Sequence, residues 1–265
     1  NEVGANHDVS MSVSSNVNIM AERAMYFNHG GMADGSIVVG TTSTSKEMYF
    51  AEGNTQPGFE EYITIQNPNA NPADVTLSFV VGNLDTVHNE KDPAPKTVRV
   101  PATTRATYRL LDMVPAGRDI AVKLTSDLPV VAERPIYFGN YKGWNGGDVA
   151  MGCKALYEEA YLAEGTTRNG FDEWVTIFSP TSGNAVRIYY NFPDGVQESD
   201  WYPLSTSRRL TVNVNEELKK WNRSGQDVSI QVIGDNPFCV ERPMYFNYQG
   251  NNGGHIGAGY VVPGN

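Results

Sequence analysis

Residues 132–138, Ala132-Glu133-Arg134-Pro135-Ile136-Tyr137-Phe138, recur as Ala21-Glu22-Arg23 with Tyr26-Phe27 and as Val240-Glu241-Arg242 with Tyr245-Phe246. The three glutamates lie 111 and 108 residues apart. A period that long, with no helical pattern inside it, reads as a tandem repeat whose unit is a small β domain rather than one turn of a solenoid. A second signature agrees. Tyr49-Phe50-Ala51-Glu52-Gly53, Thr55, Gly58-Phe59-Glu60-Glu61-Tyr62 and Pro68 reappear 112 residues later as Tyr161-Leu162-Ala163-Glu164-Gly165, Thr167, Gly170-Phe171-Asp172-Glu173-Trp174 and Pro180. A Gly-Gly pair follows each Glu-Arg segment: Gly30-Gly31, Gly146-Gly147 and Gly253-Gly254.

Within each copy the apolar residues alternate. Val75, Leu77, Phe79 and Val81 recur every second residue, as do Val186, Ile188 and Tyr190, which places them on the inner face of a sheet. Asn67-Pro68-Asn69, Asp127-Leu128-Pro129, Pro193-Asp194-Gly195 and Asp235-Asn236-Pro237 read as turns between short strands. The expected architecture is all-β: tandem antiparallel, immunoglobulin-like β-sandwich modules. Residues 1–45 are then the C-terminal part of a preceding repeat docked on the next unit, 46–155 the first whole unit and 156–265 the second. A propeller is the competing architecture, disfavoured because the two halves of a unit do not resemble each other. Asn215–Trp221 is the one helix candidate, and its counterpart Asp112–Pro115 carries a proline and should be irregular. The leading segment would expose strand edges on its own, so it should pack beside the strand carrying Tyr49 to Gly53.

The 265 residues carry a net charge of −10 and no basic stripe, which makes nucleic acid and anionic membranes poor partners. No apolar run is long enough to span a bilayer. Cys153 and Cys239, at positions held by Thr41 and Val131 in other copies, are candidates for either a disulfide or two buried thiols.

Several motifs bear on chemistry. In a strand, neighbours point to opposite faces, so Glu22 and Arg23, Glu133 and Arg134, and Glu241 and Arg242 must each find partners elsewhere. Together with Glu52 and Glu164 they read as structural ion pairs, Arg134 and Arg242 meeting carboxylates of the same or an adjacent unit, with Glu52 or Glu61 of its own unit the first expectation for Arg134. Two carboxylates flanking a cleft would instead suit glycoside hydrolysis, but the same cleft would have to recur in every copy. His7, His29, His88 and His255 show no metal-ligand spacing, and no nucleophile motif is present. The acidic loops 83–92 and 194–200 lack a calcium-loop pattern. Tyr141, Trp144 and Tyr248, set among Asn and Gly, are candidates for stacking on sugar rings, while those glycines otherwise read as turn residues.

The combination of Tyr-Phe-Ala-Glu-Gly-x-Thr, Gly-Phe-Glu/Asp-x-Tyr/Trp, Val100-Pro101-Ala102 with Arg105, and the Glu-Arg-x-x-Tyr-Phe segments resembles a repeat of secreted and cell-surface bacterial proteins of undefined function. The resemblance spans residues 11–262 and departs from the pattern at Leu162 and Tyr202-Pro203-Leu204. It implies an extracellular β module without an established active site, and the residues themselves lead to no expected cofactor or metal. The reading is therefore a non-catalytic spacer, scaffold or adhesive element, with a carbohydrate-binding module as the alternative and a glycoside hydrolase third. Its expected partners are neighbouring modules of the same chain and a cell-surface polysaccharide or surface protein.

Overall fold

The computed structural model describes residues 3–4, 6–82, 90–204 and 208–259. It is built almost entirely of antiparallel strands in sandwich arrangements. After residues 6–20, which form no strand, β1 (Glu22–His29) and β2 (Met32–Val39) make a separate two-stranded hairpin.

The next strands are β3 (Ser45–Phe50), β4 (Phe59–Asn67), β5 (Ala73–Val81), β6 (Lys96–Val100), β7 (Thr104–Arg109), β8 (Ile120–Tyr141) and β9 (Trp144–Met151). The organising element is β8, at 22 residues. Its first part pairs with β3 and β5, with β6 beyond β5. Its second part pairs with β4 and β9, with β7 beyond β4. One strand thus belongs to both layers of a sandwich, changing sheet at Asp127–Pro129. Those residues read as a turn in the sequence. Here they form a bend in a continuous strand, where Pro129 has no N–H to give to a ladder.

The second strand system follows the same plan with β10 (Tyr157–Leu162), β11 (Phe171–Phe178), β12 (Asn184–Phe192), β13 (Gly195–Glu198), β14 (Tyr202–Leu204), β15 (Arg209–Asn213), β16 (Ser229–Tyr248) and β17 (Asn251–Ala258). β16 takes the place of β8, pairing with β10 and β12 in one layer and with β11 and β17 in the other. Between β15 and β16 runs the single-turn helix α1 (Val214–Lys219), whose first turn is capped by Asn213 accepting from Glu216 N at 2.9 Å. The matching place in the first system is a short 3-10 turn, Leu110–Asp112.

Each sandwich has its own core. Val75, Leu77 and Phe79 pack with Ile63, Val122 and Leu124, and Val186, Ile188 and Tyr190 with Ile177, Ile230 and Val232, all buried as their alternation requires. Deep burial of both alternating sets fixes strand register, since a one-residue slip would turn every one of these side chains outward.

Candidate functional site: the junction between repeated hairpins

In the second layer of each sandwich, the second half of β8 and all of β9 form a hairpin, as do the matching parts of β16 and β17. With β1–β2 this makes three equivalent hairpins. Register aligns them: Tyr26 faces Gly35, Tyr137 faces Gly147 and Tyr245 faces Gly254. The counterparts of Gly146-Gly147 and Gly253-Gly254 are therefore Asp34-Gly35, and Gly30-Gly31 lie in the preceding turn, both at positive φ. Asn140, Lys142 and Gly143 also have positive φ in their turn, but Gly146 and Gly147 do not and lie within β9. Reading this whole block as turn residues is corrected on that point.

The reason for glycine inside the strand is close approach. A Cβ on Gly147 would first meet its own hairpin, the Ile136 carbonyl at 2.6 Å and the Tyr137 ring at 3.0 Å, and then the Phe27 ring at 3.1 Å, while one on Gly254 would come within 2.6 Å of the Phe138 ring. Each hairpin lays its phenylalanine over the glycine of the next. The following tyrosine then meets that phenylalanine edge-on, Phe27 with Tyr137 at 5.0 Å and Phe138 with Tyr245 at 4.9 Å. Polar contacts repeat as well. Val149 N donates to Ser36 Oγ at 3.1 Å, and at the next junction Ile256 N donates to Asp148 Oδ2 at 2.6 Å. Asp34 Oδ2 accepts from both Gly147 N (3.1 Å) and Gly254 N (3.0 Å). Gly146→Val should therefore force apart Asp34, Phe138 and the Gly253 backbone, which a Cβ there would meet at 2.5–2.9 Å. A loss of about 1–3 kcal/mol in urea unfolding is the expected result.

The charged pairs follow the same order. Arg23 pairs with Glu133 at 2.8 Å, and Arg134 with Glu241 at 2.7 Å. The arginine of one hairpin thus takes the glutamate of the next, a rule that corrects the expected pairing of Arg134 inside its own unit. From Glu52, Arg134 takes only the backbone carbonyl, at 2.7 Å. The Glu52 carboxylate is held by Arg209 at 3.1 Å, and its N–H donates to Glu241 at 2.6 Å. Arg242, in the last hairpin, meets Glu164 of its own unit at 2.8 Å. Glu22, also expected in an ion pair, is exposed and has none among the described residues.

Arg134 is wholly buried. Burial works against its charge, but Glu241, Glu61 and Glu52 outweigh it and hold the guanidinium above its usual value. Burial pushes Glu61 up to about 8 and Glu52 up to about 7, against the pull of Arg134 on both and of Arg209 on Glu52. In the second unit burial likewise raises Glu173 to about 8. These carboxylates bind protons more tightly folded than unfolded. Their contribution is complete below about pH 4.5 and is lost as pH rises through 7 to 8. Melting temperature should fall between pH 6 and pH 9, and Glu61→Gln should flatten that slope; an unchanged slope in the variant would exclude Glu61 as a source.

Residues 12–132 match the model of a family of unknown function, DUF5719. No curated protein matches the sequence. Among solved structures the chain is similar to Thermotoga maritima 1070, at 16% identity and TM-score 0.37, over 42% of this chain and 96% of that one. It is similar to a glycosyl hydrolase family 2 member from Bacteroides cellulosilyticus at 10% identity and TM-score 0.18, covering 80% of this chain and 26% of that one. The Serine-rich Repeat Protein Srr2 from Streptococcus agalactiae gives 10% and 0.18, over 89% and 92%. At such scores these likenesses carry no argument about fold or activity.

The sugar-stacking candidates lie in different settings. Tyr141 is packed against Phe59, Phe138 and Tyr245, the last at 4.3 Å, and its hydroxyl bonds to Asp172. It belongs to the junction. Trp144 lies at its edge, partly exposed, beside a small groove with Lys142, Phe171 and Asn215. Tyr248 is exposed and leans on Phe171 at 5.6 Å. Cys153 and Cys239 are free thiols, and the contact from Cys153, with burial, raises Cys239 well above its usual value. Both belong to a cluster with Tyr49, Val80 and Phe178 that joins the two units. Residues 83–89 of the first acidic loop, His88 among them, lie outside the described residues. In the second loop Asp194 is engaged by Arg223 at 2.7 Å. No group of three metal-ligating side chains occurs among the described residues.

Asp34, Ser36, Asp148 and Arg209 were not singled out by sequence. A signal existed for Arg209. It occupies the place of Arg105, the last residue of the Val-Pro-Ala-x-x-Arg segment, since Arg105 faces Gln66 on β4 and Arg209 faces Phe178, 112 residues on, on β11. Both arginines reach back along the chain, Arg105 to Asp8 at 2.7 Å and Arg209 to Glu52.

Proposed function

We propose that this chain is a non-catalytic segment of an extracellular bacterial surface protein, a stiff array of β-sandwich modules acting as a spacer or scaffold. The observation that carries it is the junction: recurrent aromatics and charges are spent on joining one repeat to the next. A flexible tether needs no such contacts, whereas a rod does. The carboxylates that could have flanked a hydrolytic cleft, Glu52, Glu61 and Glu241, are instead sealed between units where no substrate can reach them. Tyr141 is used in the same way, which favours a spacer over a sugar-binding row of aromatics. Small-angle scattering tests this: one fixed maximum dimension, unchanged by moderate salt, is the expected result. A broad distribution of dimensions, with the units moving independently, would overturn the proposal.

A further inference from the structure

Cys153 and Cys239 stand on the two sides of one junction. At the junction before it the corresponding places are held by Thr41 and Val131, so both sides of the pair change to cysteine together. The first cysteine follows β9, in the stretch that leads into the second unit, and it is tied back to the first. Tyr49 N donates to Cys153 O at 2.8 Å and Cys153 N to Tyr49 O at 2.9 Å, an antiparallel bridge onto β3. The second cysteine lies on β16, the organising strand of the second unit, opposite Phe178 of β11.

The two residues converge on one carbonyl. Cys239 Sγ lies 3.9 Å from Tyr49 O, the oxygen that also accepts from Cys153 N, and the two thiols are in contact. A disulfide requires Cα atoms within about 7 Å of each other, and the shared oxygen keeps the two cysteines within one side chain's reach. Around them Tyr49, Ala51, Val80 and Ala121 of the first unit pack with Phe178 of the second. The bond therefore forms in a seam that is already closed. Access differs between the two sulfurs, since Cys153 is half-buried and Cys239 buried.

We infer that Cys153 and Cys239 are a disulfide site, whose bond pins the connecting stretch, and with it β3 of the first unit, to β16 of the second. The oxidant is a small disulfide such as oxidised glutathione. The Cys153 thiolate attacks one of its sulfurs, the glutathione S–S bond breaks, and one glutathione thiolate leaves. The Cys239 thiol then loses its proton to solvent and attacks the Cys153 sulfur, so that the protein S–S bond forms as the second glutathione thiolate leaves. Two protein thiols become one disulfide, and one glutathione disulfide becomes two thiols. Burial and the Cys153 contact hold the Cys239 thiol protonated, so the second step sets the pace and quickens as pH rises. The bond stands on this geometry; its use as a brace in a stiff array rests on the spacer reading above.

Oxidised glutathione added to the whole folded chain at mildly alkaline pH tests the site. Titration of thiols in denaturant should fall from both cysteines to none, with the mass lower by two hydrogens and no glutathione retained, and digestion should release a peptide that joins residues 153 and 239. Melting temperature should rise by roughly 10 °C, as for a bond closing a long loop, and dithiothreitol should reverse the rise. Cys239→Ser should stop at a glutathione adduct on Cys153 and show no such rise. A wild type that keeps both thiols, stops at the adduct, links chain to chain, or closes the bond without gaining stability would overturn the inference. Scattering on the reduced and oxidised forms separates the two readings. One fixed dimension with the thiols unreacted leaves the spacer standing while the disulfide site falls, and a broad distribution in both forms removes the spacer while a closed bond stands.

Discussion

Arg134→Ala is expected to lower stability by about 3–5 kcal/mol, because removing one member of a buried ion pair leaves its partner charged and unpaired in a medium that solvates it poorly. The partners left behind are the Glu241 carboxylate and the Glu52 carbonyl, with Glu61 close by. Since these groups come from both strand systems, the loss should also uncouple them, and a single unfolding transition should split into two. Arg23→Ala supplies the comparison. The motif is the same, but Arg23 is 32% exposed and its Glu133 18% exposed. Water then replaces much of what is lost, and about 1 kcal/mol or less is expected. Equal effects at the two arginines, or none at Arg134, would show that the buried cluster does not hold the units together. Replacing Arg134 by Met and Glu241 by Leu together should recover most of the loss, as apolar pairs of similar volume do in such places.

The sandwich itself was legible because its signal is local. Val75, Leu77 and Phe79 alternate within one strand, and burial of one face follows from geometry. The opposed directions of Glu133 and Arg134 were legible for the same reason. The identity of their partners was not. Whether Arg134 meets Glu61 of its own unit or Glu241 of the next depends on how one folded body is placed on another, and nothing in strand periodicity encodes that placement. Tyr141 shows the same limit: a loop aromatic beside Asn and Gly has the composition of a sugar platform until the second unit supplies Tyr245 and Asp172 to close over it. The glycines misled in another way. Gly146 and Gly147 carry the same letters as the turn glycines, but a Cβ there would crowd both their own hairpin, at the Phe138 ring and the Ile136 carbonyl, and the neighbouring one, at Asp34, Gly253 and the Phe27 ring, and the second set becomes visible only when the neighbour is in place.

Deleting residues 1–40 should have an effect of similar size, and comparison with a shorter deletion locates its source. Residues 6–20 form no strand and are exposed, and their one described ion pair, Asp8 with Arg105, is open to water on the Asp8 side. Removing residues 1–20 should therefore change stability by under about 1 kcal/mol. Extending the cut to residue 40 takes away β1 and β2. Val149 and the Tyr137 ring lose their cover, at about 1.5–3 kcal/mol for each side chain fully returned to water. Asp148 loses the Ser36 hydroxyl at 2.6 Å, and Glu133 loses Arg23. Tyr137 is only partly covered to begin with, so about 3 kcal/mol is a reasonable total, or roughly a 10 °C fall in melting temperature for a chain of this size. The hairpin cannot compensate by folding alone, because two isolated strands are marginal in water. The structure seats it against β9 rather than beside Tyr49 to Gly53, so the damage should appear first in hydrogen exchange of the β8–β9 hairpin and leave β3 protected. If exchange rose instead along β3, or the long deletion melted with the short one, the repeated hairpin contact would be incidental to stability. The opposite outcome would mean that each repeat is completed by the one before it, and a chain assembled from such units gains stiffness from the same contacts that let it fold.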